Sequence, residues 1–193
     1  VGTNGQPLTA EVIMVKSFDE LNSLPAEKVK GKIVFFDYRF RQDFVNTFPG
    51  YGDAVKYRGY GPSAAAQKGA VAIIIRSMST GADDVPHTGS THYVDSIKAI
   101  PAVALGNFTS DTLETACSNG TVHARLESNC RMLPESVRSY NVIGEIEGTE
   151  HPNDIIVVGG HLDSWDVGEG AHDDGSGCVQ SMEVLRTIKA LGI

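Results

Sequence analysis

The sequence predicts an α/β fold built in two parts, a mixed sheet with short helices and then strands, a loop and a helix. Short runs of β-branched and aromatic residues alternate with helical segments between residues 8 and 127. The run VAIII at residues 71–75 lacks polar alternation, which is typical of a parallel strand covered on both faces. A second set of apolar runs, followed by an amphipathic segment, begins near Ser139. We place the boundary between domains 1–133 and 134–193.

The elements of the first part follow from local patterns. Residues 11–15 and 32–36 are predicted strands. A helix is predicted to begin at Pro62, because proline suits the first helical turn, and to end at Gly69. Residues 100–106 form a further predicted strand, and residues 109–117 a helix that Ser110 could cap. Residues 121–128 alternate between apolar and polar and predict a half-exposed strand.

Two long segments of the first part show no regular pattern. Residues 39–61 and 78–99 are rich in Gly, Asp, Tyr and His. Loops of about twenty residues are uncommon in compact domains and are usually functional. We therefore expect both segments to be functional loops.

The second part predicts strands over residues 140–148 and 155–164, joined by a turn at residues 152–154. An amphipathic helix is predicted from Ser176. Its apolar residues recur at helical spacing and are expected to face a core: Cys178, Met182, Leu185, Ile188 and Leu191.

Composition excludes some classes of function. The net charge of −8 and the pI of about 5.2 disfavour nucleic-acid binding, which needs a basic face. No apolar run approaches the roughly 18 residues of a membrane span. Cys117 and Cys130 could pair, whereas Cys178 is expected to be a small buried residue. Asn107 and Asn119 begin glycosylation sequons, which matter only in a secreted protein.

The stretch VVGGHLDSWDVGEGAHDDGSG at residues 157–177 carries the chemistry. Residues two apart on a strand point the same way, so Asp163 can reach His161 and orient its ring. Asp173 lies just before a helix, where its carboxylate could bridge two cations. A mixed histidine and carboxylate set suits zinc better than magnesium or calcium. The sequence therefore predicts a zinc site with His161 and Asp173 as ligands.

Either half of this stretch alone has an ordinary explanation. A single His-x-Asp is common, and Asp-Asp-Gly-Ser-Gly alone is more often a turn with a helix cap. Both together, directly after four apolar residues, indicate metal binding. We assign His172 and Asp174 a supporting or structural role. Asp166 and Glu169 are assigned to loop solvation.

The run GGHLDSWDVGEGAHDDGSG resembles the binuclear zinc exopeptidases, and GGHLDSWDVG is most similar to their carboxypeptidase Q branch, the plasma glutamate carboxypeptidase-like group. This resemblance implies that His161 binds the first zinc and that Asp173 bridges both ions. It implies that Asp163 orients His161 and that the peptide between Asp173 and Asp174 is cis. His172 departs from the family, in which Met or Asn is common before the aspartate pair.

The upstream runs KGKIVFF, AAAQKGAVAIIIRS, PHTG, IPAVAL and LETACSNGTVHARLE are similar to the protease-associated domain that such peptidases carry as an insertion. The resemblance implies that domain 1–133 is this inserted domain. It makes Arg76 and His87 candidates for substrate contact, although a salt bridge or a loop hydrogen bond explains either residue equally well.

The family also uses three more ligands, a glutamate, an aspartate and a histidine, and a glutamate general base. None of these lies in residues 178–193, where Glu183 is the only acid. We therefore expect the chain to be an inactive piece of a longer protein. The resemblance implies that the parent hydrolyses dipeptides or short peptides with a zinc-bound hydroxide.

The resemblance leaves amino- and carboxypeptidase specificity open. It implies an extracytoplasmic enzyme, whether secreted, lumenal, lysosomal or periplasmic, that acts on peptides and could form a homodimer. The alternative is a receptor-like relative that has lost zinc chemistry and works as a binding protein. The retained His161 and Asp173 favour the enzyme.

Overall fold

The computed structural model describes residues 1–165 and 168–192 and divides the chain into two compact units, Val1–Glu135 and Ser136–Ile193. The first unit is built on a five-stranded sheet in the order β4-β3-β2-β1-β5. Its strands are β1 (Leu8–Val15), β2 (Ile33–Phe36), β3 (Ala72–Arg76), β4 (Ala102–Leu105) and β5 (Val122–Leu126). The predicted mixed α/β class is confirmed.

Strands β1 to β4 run parallel, and β5 pairs antiparallel with β1. Helices α1 (Phe18–Ser23) and α2 (Ala26–Val29) connect β1 to β2, and α3 (Thr47–Gln67) connects β2 to β3. Helix α4 (Asn107–Asn119) lies between β4 and β5. Parallel neighbours require such crossover connections, because a tight turn cannot join them.

The sheet has a core on each face, because successive strand residues point to opposite sides. Val34, Phe36 and Ile73 pack on one face with residues of α1, α2 and α3. Ile33 and Phe35 pack on the other face with α4. Burying one such side chain is worth about 1.5–3 kcal/mol. The uninterrupted apolar runs of β2 and β3 are thereby explained, and the sequence-based expectation for residues 71–75 is confirmed.

Helix α3 corrects the prediction of a loop over residues 39–61. It begins at Thr47, so Pro62 lies inside the helix rather than at its first turn. Gly61 packs tightly on β2, since a Cβ there would lie 3.0 Å from the Phe36 ring. This close contact holds the helix on the sheet, although Pro62 and the four glycines of its sequence disfavour a helix. Burial of the face that includes Ala54, Tyr57 and Ala65 outweighs local propensity.

The predicted cap of α4 is also wrong. The helix begins at Asn107 with Gly106 as its N-cap, which makes no side-chain hydrogen bond. Ser110 is fully buried within the first turn, and its hydroxyl has no partner among the described residues. The segment between β3 and β4 contains neither helix nor strand, as predicted for residues 78–99.

Cys117 and Cys130, which the sequence left as a possible disulfide pair, are free thiols.

The second unit contains α5 (Ser176–Leu191), which confirms the predicted helix. The strands predicted over residues 140–148 and 155–164 are absent from the described residues of this unit. Ile155, Ile156 and Val157 are 84–91% exposed. A strand needs a hydrogen-bonded neighbour, and this part of the chain supplies none. For the same reason the apolar stripe of α5 is not covered, and Met182 and Leu191 are more than half exposed.

Among the described residues, none of the helices combines the length and the apolar character that a bilayer span requires.

One pH-dependent feature lies beside α3, where the Tyr38 hydroxyl donates to the Asp53 carboxylate. Burial and this hydrogen bond raise the pKa of Tyr38 to about 12, against 10.0 for a free phenol. A proton that the folded state holds more tightly stabilises the fold below about pH 10, and this contribution is lost as the pH rises towards 12. Burial also raises the pKa values of Tyr57 and Tyr93. We therefore expect an ultraviolet titration to show several late phenol transitions, of which Tyr38→Phe removes one.

Asp53→Asn is expected to lower the pKa of Tyr38, because the anionic acceptor is gone. Asp95→Asn, at an exposed position, is the matched control. If Tyr38→Phe left the amplitude of the late transitions unchanged, the assignment to Tyr38 would be wrong.

Candidate metal centre

The second unit brings three of the predicted site residues together. The ring nitrogen Nε2 of His161 lies 2.9 Å from Oδ1 of Asp173. Its Nδ1 lies 2.8 Å from the backbone oxygen of Asp163 and 3.2 Å from the carboxylate Oδ1 of the same residue. Asp163 thus holds one ring nitrogen through two oxygens and leaves the other directed at Asp173.

The backbone of His161 is fixed by residues that the sequence did not assign to this task. Its N–H donates to Oδ2 of Asp174 at 3.2 Å, while Oδ1 of Asp174 accepts from the N–H of Gly177 at 3.1 Å. The Cys178 thiol donates to the His161 carbonyl at 3.3 Å. The carboxylate of Asp174 therefore ties His161 to the first turn of α5. Only the supporting role of Asp174 was visible in the sequence.

Asp173 is positioned by the turn Ala171–Gly175, which leads directly into α5. Asp173 and Asp174 have non-helical backbone angles within it. The peptide that joins them is cis, as the resemblance implied. The Ser176 hydroxyl donates to the backbone oxygen of His172 at 2.7 Å, which closes the turn onto the helix. The side chain of Asp173 is 67% exposed, so the site is open to solvent within this unit.

The charges around His161 decide its protonation when no cation is bound. The hydrogen bond to the Asp163 backbone, that to Asp173 and the two negative charges raise the pKa of His161. A cation that binds Nε2 competes with the proton that this raised pKa favours. Metal binding here should therefore release protons.

The donor set fits zinc in kind but is incomplete in number. One imidazole nitrogen and one carboxylate oxygen face each other, and both are ordinary zinc ligands. A zinc ion normally takes four ligands. Within residues 1–165 and 168–192 no group of three His, Cys, Asp or Glu side chains could hold an ion. The described residues thus offer two donors that suit zinc, fewer than one zinc ion requires.

The remaining acids and candidates lie elsewhere. Glu183 accepts two hydrogen bonds of 2.6 Å from Arg186, which lower its pKa and keep it in an ion pair on the surface of α5. Glu169 is exposed, as assigned to loop solvation, and Asp166 lies outside the described residues.

Arg76 and His87, the two candidates for substrate contact, are described within the first unit. Arg76 is 2% exposed and pairs with Asp37, Asp111 and Glu114. Of the two explanations for Arg76, the salt bridge is the one that the structure shows, although this bridge is buried and not on the surface. The Nδ1 atom of His87 lies 3.1 Å from Nη1 of Arg58. Burial and this cation lower the pKa of His87, so its ring is neutral and accepts the hydrogen bond.

Gly160 provides a test of how closely His161 is held. A Cβ at Gly160 would lie 2.6 Å from the Cys178 nitrogen and 2.9 Å from Oδ2 of Asp174, whereas one at Gly159 would meet nothing within 4 Å. We expect Gly160→Ala to push His161 away from α5 and to weaken zinc binding by the whole protein about 10–100-fold, as loss of a group that orients a ligand does.

Gly159→Ala is the matched control and should leave zinc affinity unchanged, as measured by competition with a chelating dye. Equal affinities of the two variants would show that the contact with α5 does not position His161.

Comparison with known proteins identifies peptidases that are similar to this chain. Residues 141–192 match the model of Peptidase family M28. The whole chain aligns with carboxypeptidase Q of Xenopus laevis at 40% identity and of Homo sapiens at 38%, and it spans 39% of the length of either relative. A solved structure of a Peptidase M28 precursor from Shewanella amazonensis SB2B is 37% identical, with a TM-score of 0.82 over 91% of this chain and 39% of that one. The chain is thus similar to Peptidase family M28 over residues 141–192 and to carboxypeptidase Q over its whole length.

Proposed function

We propose that the whole protein is a zinc-dependent exopeptidase that hydrolyses dipeptides or short peptides, and that His161 and Asp173 are two of its metal ligands. The observation that carries the proposal is the pair of donor atoms, Nε2 of His161 and Oδ1 of Asp173, which face each other at 2.9 Å. The similarity to carboxypeptidase Q over the whole chain supports the reaction class.

Each residue of the site has a separate task. Asp163 accepts from Nδ1 of His161, so the lone pair of Nε2 stays available to a cation. Asp173 supplies negative charge from the opposite side, and its place at the start of α5 favours that charge. Asp174 and Cys178 hold the backbone of His161 in register with the helix. Zinc, when bound, supplies Lewis acidity that polarises a carbonyl group and makes water more acidic.

We assign the role of general base to none of the residues that the structure describes. Glu183 is held by Arg186, and its lowered pKa makes it a poor proton acceptor. We infer that the base and the further ligands come from other parts of the whole protein. We also propose that the first unit is a protease-associated domain.

An extracytoplasmic location belongs to the same proposal. The side-chain nitrogen of Asn107 donates to Ser79 and to the Gly81 carbonyl, so its sequon is engaged in the fold. Asn119 is exposed at the end of α4. If the protein passes through a compartment that glycosylates, Asn119 is the available acceptor.

Activity of the whole protein on dipeptides, with and without a chelator, tests the proposed function. We expect hydrolysis to stop in chelator and to return when zinc is restored. The chain of 193 residues alone should stay inactive with zinc, because it presents only part of the site. Hydrolysis that is indifferent to the chelator, or no hydrolysis by the zinc-restored protein, would contradict the proposal and favour the receptor-like alternative.

A further inference from the structure

Arg58 is a buried cation whose charge the first unit does not balance. Its side chain lies on α3, and the residue is 7% exposed. No Asp or Glu lies within ion-pair distance of it in the part of the chain that the structure describes. A buried charge without a counter-charge is costly, and proteins normally pair it. Arg76, the other buried arginine, has three carboxylates around it.

The donors of Arg58 are used unevenly. Nη1 donates to the Thr88 carbonyl at 2.8 Å and lies 3.1 Å from Nδ1 of His87. Nη2 donates to the Tyr51 hydroxyl at 2.9 Å. Nε is fully buried and has no hydrogen-bond partner among the described residues. The unused donor thus lies on the edge formed by Nε and Nη2.

This edge is the one with which arginine grips a carboxylate. Two exposed pairs of the same protein show the arrangement, since Arg41 and Arg186 each use Nε and Nη2 to hold the two oxygens of an acid. Such paired hydrogen bonds are stronger and more selective than single ones. At Arg58 the same two donors, Nε and Nη2, lie side by side, but no described carboxylate accepts from them.

The neighbours of Arg58 add no second charge. His87 accepts a hydrogen bond from the guanidinium, and its pKa is lowered, so its ring is neutral. The cluster of Tyr51, Arg58, His87 and Thr88 therefore carries one positive charge. A monoanion balances that charge, whereas a doubly charged phosphate would leave an excess negative charge buried.

The cover over the guanidinium consists of residues from the segment between β3 and β4. Gly89 lies so close that a Cβ there would be 2.4 Å from Cζ of Arg58. This segment is tied to α3 by hydrogen bonds from the His92 N–H to the Gly59 carbonyl and from the Val94 N–H to the Ser63 hydroxyl. The segment has no helix or strand of its own, and the site proposed below requires that its residues move aside so that a carboxylate can reach Nε.

We propose that Arg58, with Tyr51 and His87 beside it, forms a binding site in the first unit for a carboxylate, held side-on by Nε and Nη2. The inference does not rest on the proposed peptidase activity. The carboxylate could belong to a small free acid or to the C-terminus of a peptide, and both present the same two oxygens to the fork.

The direct test is a nitrogen-15 NMR titration of the metal-free chain, which follows the Nε–H resonance of Arg58. Sodium acetate is expected to shift this resonance in a saturable manner and to shift the other arginines only in proportion to salt. Inorganic phosphate should bind more weakly than acetate. A dipeptide with a free C-terminus that binds where its amide does not would identify the peptide carboxylate as the source, and acetate alone would identify a small acid.

Two variants distinguish the contribution of the paired Nε and Nη2 donors from that of the positive charge alone. Arg58→Lys keeps the charge but loses the paired donors, so acetate affinity should fall about tenfold or more, the equivalent of one hydrogen bond to a charged group. Arg125→Lys, at an exposed position of β5, is the matched control and should bind acetate as the unmodified chain does.

No saturable shift of the Arg58 resonance would overturn the proposal, as would phosphate binding more tightly than acetate or Arg58→Lys binding acetate unchanged. The titration of the unmodified chain decides the question even if Arg58→Lys does not fold.

Discussion

Replacing Arg76 with methionine is expected to lower the free energy of unfolding of the first unit by about 3–5 kcal/mol. The side chain of Asp37 is completely buried, and one of its oxygens already has no partner among the described residues. Without Arg76 the remaining oxygen would lose its cation as well, and a buried carboxylate would be left uncompensated. Urea denaturation followed by circular dichroism measures the loss.

The ion pair of Asp37 and Arg76 depends on both partners, because burial disfavours the charged form of Asp37. Desolvation raises the pKa of Asp37, and the hydrogen bond and charge of Arg76 only partly counteract that effect. Removing both charges should therefore cost less than removing one. We expect Asp37→Leu combined with Arg76→Met to recover most of the lost stability, because a buried ion pair is often replaceable by apolar residues of similar size.

Arg39→Met is the matched control. Arg39 pairs with the same acids, Asp111 and Glu114, but its side chain is 57% exposed. Exposed pairs contribute about 0–1 kcal/mol, so this variant should lose little. If Arg76→Met were no more destabilising than Arg39→Met, the buried pair would not have the structural role assigned to it.

Replacing His161 with alanine is expected to have the largest effect on function. Loss of a residue that only orients a ligand lowers metal affinity about 10–100-fold, and loss of a ligand should exceed this. In the whole protein, His161→Ala should therefore empty the first zinc position and abolish peptidase activity. Zinc content after dialysis and hydrolysis of a dipeptide measure the two effects.

Asp163→Ala gives an intermediate case that distinguishes ligand from support. The backbone oxygen of Asp163 holds Nδ1 of His161 at 2.8 Å and survives the substitution, whereas the carboxylate contact of 3.2 Å is lost. We expect a loss of zinc affinity near the lower end of the 10–100-fold range. His151→Ala, an exposed histidine outside the site, should have no effect. An Asp163→Ala variant as impaired as His161→Ala would contradict this ranking.

The sequence predicted those strands and helices in which the hydrophobic pattern of the residues matches their burial in the fold. Residues 71–75 are apolar throughout because β3 is covered on both faces, and β5 alternates because only one face is covered. The sequence predicted only the end of α3, from Pro62 onwards. It could not predict residues 47–61 of this helix, since their glycines oppose a helix and the packing of Gly61 against Phe36 is a long-range contact. The strands expected around Ile155 failed for the converse reason, because local propensity forms no strand without a neighbour.

The candidate site shows the same division. The spacing of His161, Asp163 and Asp173 in the sequence was sufficient to expect them together, and the structure places them within hydrogen-bond distance. The hydrogen bonds of Asp174 and Cys178 to the backbone of His161 have no sequence signature, because they depend on how the turn Ala171–Gly175 folds back on residue 161. Whether Arg76 faces a ligand or a buried acid likewise depended on α4, which supplies two of its partners.

The zinc content of Asp173→Ala in the whole protein tests the central claim most directly, since Asp173 is proposed to bridge both ions. Asp154→Ala, an exposed aspartate in the same unit, is the control. We predict that the control retains two zinc ions per chain after dialysis and that Asp173→Ala retains almost none. An Asp173→Ala protein that still holds two zinc ions would contradict the bridging role and with it the assignment of this metal centre.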